Sequence, residues 1–128
     1  METIEKDNII LGLIIKSLSK GSTPVTRENE PLQLVSLKHP SGTILKAHKH
    51  NPKKRTTETL QECLVVKKGK ISIGVYDQED KLFQNVILSI GDVYIAMNGG
   101  IEINFLEDSE ILEIKNGPFV EDKIIIQK

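Results

Sequence analysis

The sequence contains no tryptophan, and aromatic residues make up only 4% of it. Its core therefore cannot rest on large rings and must be built from Ile, Leu and Val, which suit pleated sheets. A single cysteine, Cys63, excludes an intrachain disulfide and fits a reducing compartment. Neither sign of charge is in excess: 17 basic and 18 acidic residues leave a formal net charge of −1. That balance gives no footprint for nucleic acid or an anionic membrane surface. The apolar run Ile9 to Ile15 is interrupted by Gly12 and falls far short of the roughly 20 residues that span a bilayer. Met1–Asp7 carries no basic leader segment. These absences lead to the expectation of a cytoplasmic protein with no nucleic-acid or membrane partner.

No stretch has the period of an amphipathic helix. Short apolar runs separated by turn residues recur instead, over 128 residues that suit one domain, 1–128. Residues 1–8 are polar and are expected to be loose. Strands are expected at Ile9–Lys16, Leu32–Lys38, Thr43–His50, Glu62–Lys68, Lys70–Tyr76, Lys81–Ile90, Val93–Met97, Ile101–Leu106, Glu110–Lys115 and, at an edge, Lys123–Gln127. Ile71, Ile73 and Val75 alternate with Ser72, Gly74 and Tyr76, a clear period of two. The run Ile9–Lys16 is too continuously apolar to assign a face. Ser17–Asn29 and Asn51–Gln61 read as connections, the latter with Pro52 and the basic cluster Lys53-Lys54-Arg55. Regularly spaced short strands of this kind indicate a sandwich or barrel.

The chemistry concentrates between Gly42 and Gly69. His48 and His50 stand one residue apart, and residues i and i+2 of a strand point to the same side. Glu62 opens the next strand. Two imidazoles and a carboxylate form a metal-ligand set, or an acid/base pair with an orienting group. Lys46 shares the parity of the histidines, where it holds an anionic substrate group or snorkels to the surface. Arg55, with its bidentate fork, is the best anion clamp of the basic cluster. Cys63 has the parity opposite to Glu62 and is expected to be a packed small residue.

These residues resemble a known family. Gly42, five residues, His48, one residue, His50, and then Glu62, six residues, Gly69 are similar to the first motif of the cupins. Gly91-Asp-Val-Tyr-Ile-Ala-Met-Asn-Gly99 is similar to the start of their second motif. Thr23-Pro24, Pro31-Leu-Gln33, Gly99-Gly100, Leu106-Glu-Asp108 and Glu113 to Phe119 resemble a subgroup of small bacterial cupins without a settled activity. The resemblance covers Leu32 to Pro118 and implies an all-β fold, a double-stranded β-helix or jelly-roll barrel. Two departures stand out. Eleven residues separate His50 from Glu62, more than the usual few. The histidine that should end the second motif is missing: general spacing places Glu102 there, and the subgroup's glycine pair places Ile101 there. Ile101, Ile103 and Phe105 form the more apolar parity, so Ile101 is expected to face inward, without a fourth ligand.

The resemblance implies a small-molecule site at the barrel mouth. His48 and His50 would be catalytic. Lys46, Arg55 and Ile101 would bind substrate. His48, His50 and Glu62 would hold a divalent transition metal, Fe, Mn, Ni or Zn, if one is bound at all. One alternative is a metal-free enzyme like the sugar-nucleotide epimerases and isomerases of that fold. Another is a binding module without chemistry. A homodimer is expected, with the apolar terminal runs Ile9–Ile15 and Ile124–Ile126 in or near its interface.

Overall fold

The computed structural model describes residues 1–127. They form ten strands in antiparallel sheets, with no helix among the described residues. In chain order these are β1 (Glu2–Lys6), β2 (Ile9–Ile15), β3 (Gly21–Pro24), β4 (Val35–Lys38), β5 (Glu62–Lys68), β6 (Lys70–Tyr76), β7 (Leu82–Ser89), β8 (Val93–Ala96), β9 (Gly100–Phe105) and β10 (Glu110–Lys115). A five-stranded sheet runs β1-β2-β8-β5-β10, and a three-stranded sheet runs β7-β6-β9. β3 and β4 pair apart from both.

One apolar cluster joins the two larger sheets. Leu11, Ile14, Leu64 and Tyr94 come from the first, and Ile71, Ile73, Val75 and Leu88 from the second. A second cluster, Leu13, Ile15, Cys63, Ile95 and Met97, lies on the other parity of the five-stranded sheet, beneath Val25, Leu32 and Leu34. That sheet is therefore covered on both faces. This explains the unbroken apolar run of β2: both parities are buried, so neither can be polar. The expected period of two in β6 has the opposite cause, since Ile71, Ile73 and Val75 fill the core while Ser72 is only half-buried.

Residues 2–6 are not loose. They pair with β2 through the two-residue turn Asp7-Asn8, whose φ angles of 52° and 64° are both positive. That is a hairpin geometry that Asp and Asn tolerate. Between Ile4 and Glu5 the register shifts, so that Gly12 pairs with Ile4 and Ile10 with Glu5. Leu11 is the extra residue of this bulge. The connection Ser17–Asn29 contains β3, and only the second half of Leu32–Lys38 is strand. Lys123–Gln127 forms no strand.

The largest correction concerns Thr43–His50, which is not a strand; every residue from 37 to 60 is exposed. One parity of this stretch carries Ile44, Lys46, His48 and His50, and the other Thr43, Leu45, Ala47 and Lys49. Neither offers an unbroken apolar row, so the chain gains little by burying it against its own core. The exposed surface is correspondingly large, 9580 Å². A compact monomer of 14.3 kDa exposes about 6,800 Å² by size scaling.

Ion pairs brace the sandwich at two corners. Lys6 Nζ at the end of β1 donates to Asp77 Oδ2 in the β6–β7 hairpin, while the N–H groups of Glu79 and Lys81 donate to Asp77 Oδ1 at 2.8 and 3.0 Å. Lys16 Nζ donates to Asp92 Oδ2 at 2.8 Å, beside the Ser89 N–H at 2.9 Å. The Lys6 hydrogen bond, helped by those backbone donors, holds the Asp77 carboxyl at about 2. A depressed carboxyl stabilises the fold above its unfolded pKa and loses that contribution as pH falls through its folded one. The window is therefore between 3.8 and about 2. Thermal melts across it should show a flatter acid decline for Asp77→Asn than for the wild type; parallel declines would remove Asp77 as the cause.

Candidate functional site

Glu62 opens β5, Tyr76 closes β6, and Gly100 opens β9, so three strand ends meet at one end of the sandwich. A cavity of about 590 Å³ lies there. Its walls include Glu62, Tyr76, Ile101, Glu102, Glu113 and Lys115, with residues 122–126 of the tail along one side. Register places these groups. Lys115 of β10 stands directly opposite Glu62 of β5, and Gly100 of β9 opposite Tyr76 of β6. Ile101 and Ile103 pack against the core. Both Ile101 and the half-buried Glu102 border the cavity, because it lies beyond the strand ends rather than on one face.

Carboxylates dominate the electrostatics. Burial, and then the nearby Glu113, push the Glu62 carboxyl up, while Lys115 and Lys123 partly offset this. Lys115 Nζ lies 2.9 Å from Glu113 Oε1. Glu102 Oε1 accepts from Asn104 Nδ2 at 3.3 Å. A half-buried carboxyl raised in this way is closer to exchanging a proton near neutral pH than an exposed one. Cys63 lies on the opposite parity, in the second apolar cluster, and burial pushes its thiol up.

Of the residues singled out in the sequence, Glu62 and Ile101 line this cavity and Glu102 joins them. The others do not. His48 and His50 are neighbours, with ring centroids 5.4 Å apart in an edge-to-face arrangement, and His48 Nδ1 lies 2.9 Å from the Lys46 carbonyl oxygen. Both sit on the exposed segment, together with Lys46 and Arg55. Arg55 donates within its own neighbourhood, to the Lys53 carbonyl at 3.3 Å. Among the described residues, no three His, Cys, Asp or Glu side chains come together as a metal-donor set. In the single chain, then, His48 and His50 stand on the exposed segment and Glu62 at the cavity, because no strand forms at Thr43–His50 to carry the histidines there.

Sequence reasoning missed Tyr76, Glu113 and Lys115. Glu113 and Lys115 share a parity, but only the β5–β10 register places Lys115 across from Glu62, and one strand's sequence does not specify its partner's register. It also missed Gln61, which is buried and donates its backbone N–H to Asn116 Oδ1 at 2.8 Å. Gln61 Nε2 donates to Glu30 Oε2 at 2.8 Å. Asn116 in turn donates to Thr57 Oγ1 and the Thr59 carbonyl, at 3.2 and 3.1 Å. These bonds fix the point where the exposed segment rejoins the body. No family model, no curated protein and no solved structure matches this chain.

Proposed function

We propose that this chain is a small-molecule-binding protein of the cupin-like jelly-roll kind, with its ligand in the cavity of Glu62, Ile101 and Glu102. The reading is carried by one observation: a half-buried, raised carboxyl at Glu62 borders a cavity that also has an apolar wall at Ile101 and Ile103. Its volume, about 590 Å³, falls within the roughly 300–1,000 Å³ of small-ligand pockets. The jelly-roll reading is supported by the path of the chain, which changes sheet between β5 and β6, between β7 and β8, and again at β9 and β10.

The carboxylates of Glu62, Glu102 and Glu113 favour a ligand rich in hydrogen-bond donors or carrying positive charge, such as a polyol or an amine. Ile101 and Ile103 suit a short apolar portion of the same molecule. Glu62 is the candidate group to accept or return a proton, since burial and the nearby Glu113 move its carboxyl upward, the direction that suits a general acid or base.

Calorimetry and thermal melts with panels of sugars, polyols and amines test the reading. A ligand at about a hundred times its Kd should stabilise the fold by roughly 2.7 kcal/mol. Glu62→Gln should lose that response; a variant that responds like the wild type would refute the site. Without ligand the same variant should be more stable than the wild type at neutral pH. A raised carboxyl contributes its full stability below its unfolded pKa and loses it as pH rises through the folded one. The two proteins should therefore converge below the ordinary glutamate value of 4.5.

A further inference from the structure

We infer that two copies of this chain exchange their 40–56 segments, each segment adding as an outer strand to β9 of the other copy and closing its Glu62 cavity. The starting point is a surplus of surface. The 9580 Å² exposed exceeds the expectation for a compact monomer by about 2,800 Å². Two copies hold roughly twice that surplus, at the upper end of the 2,000–5,000 Å² or more buried by obligate dimers.

The segment itself is unpartnered strand material. Its hydrogen bonds are local: the Thr43 N–H to the Pro40 carbonyl, His48 Nδ1 with the Lys46 carbonyl oxygen, and Arg55 to the Lys53 carbonyl. Ile44 and Leu45 are 84% and 54% exposed. Both ends are tied down, at the His39–Ser22 contact and at Asn116, so the segment is an arm held out from the body rather than a frayed terminus.

The recipient edge has no strand partner, although Ile126 of the chain's own tail packs at its Gly100 end. β9 lies at the border of the three-stranded sheet and, among the described residues, pairs only with β6. An unpaired edge of this kind is a template for another strand. Charge agrees with this pairing: residues 43–56 carry five cations, Lys46, Lys49, Lys53, Lys54 and Arg55, and no acid. The recipient end carries Glu62, Glu102, Glu113 and Asp122 against Lys115 and Lys123. A second copy is favoured over the arm folding back on its own body by where the apolar exposure lies. Leu37 on β4, Ile87 on β7, Phe105 on β9 and Ile114 on β10 are all uncovered. One returning arm cannot cover four strands, whereas a mutual exchange around a twofold axis brings two whole bodies together.

The exchange would carry His48 and His50, left in solvent by the single chain, toward the partner's cavity. That closure rests on the reading of the cavity as a ligand site; the exchange itself does not and is measured without ligand. Sedimentation equilibrium of the full chain should give a dimer at micromolar concentration. The double substitution Ile44→Pro/Ala47→Pro removes N–H groups of both parities, one of which must face β9, and so blocks the arm's pairing, at residues that are exposed in the single chain. It should raise the dimer dissociation constant at least a hundredfold while leaving the circular dichroism of the body unchanged. Leu45→Asp should do the same by a different route. A monomeric wild type, or a dimer that survives in both variants, overturns the exchange. Glu62→Gln keeps the arm and should stay dimeric, so failure of the ligand site is read separately from failure of the exchange.

Discussion

Replacing Gly12 with alanine is expected to cost more than about 3 kcal/mol, enough to leave little of a typical domain's stability. A Cβ at this position would overlap the phenol of Tyr94, meeting its Oη, Cζ and Cε1 together. Tyr94 has nowhere to go, because it is fully buried in the main core and its strand is paired on both sides. The bulge at Leu11 turns Gly12 onto the core-facing side, so the ring lies over bare backbone. Among the described residues the buried Tyr94 hydroxyl has no hydrogen-bond partner, which costs about 1–3 kcal/mol. Tyr94→Phe should therefore be neutral or stabilising by about 1 kcal/mol. Urea titrations of both variants decide the matter: a Gly12→Ala protein as stable as the wild type would show that the ring can yield.

Gly99→Ala is the second large effect expected, roughly 3 kcal/mol, with loss of the ligand response as well. Gly99 has φ of +74°, and an added Cβ would run into the backbone carbonyl of Tyr76. That carbonyl belongs to the last residue of β6, opposite Gly100 in the β6–β9 ladder. Relieving the clash means separating the strand ends that form the cavity. Asn tolerates positive φ better than other residues with a side chain, so Gly99→Asn separates the two causes. It should fare no better than alanine, since it carries the same Cβ. Full recovery in Gly99→Asn, in melts and in ligand titration alike, would place the whole cost in the dihedral angle.

Much of the sandwich was legible because its strands obey simple rows. Ile71, Ile73 and Val75 face the core as their alternation implies, and the chain turns in the gaps left between the expected strands at 77–80 and 91–92. The hairpin β1–β2 was hidden because its turn is Asp7-Asn8, without the glycine that usually marks one. Thr43–His50 misled for a deeper reason. Alternation shows that a segment can pair, but the pairing also needs an edge to join, and within this chain residues 43–50 join none. The site was half-legible for the same reason. Glu62 and Ile101 sit at strand ends fixed by the chain's own sheets, while His48, His50, Lys46 and Arg55 ride on the segment those sheets do not fix.

The placement of β2 also constrains the order of events in folding. The β1–β2 hairpin is local and complete once residue 15 has been synthesised, yet β2's other neighbour is β8, with Gly12 paired to Ala96. Nearly the whole chain must therefore emerge before the five-stranded sheet can close around it. Such distant pairings carry a loop-closure cost before they yield any contact, and they slow folding. Until then the hairpin waits with Leu11, Leu13, Ile14 and Ile15 uncovered on both sides. These rows are where a chaperone, or a wrong strand from a neighbouring nascent chain, gains its first hold.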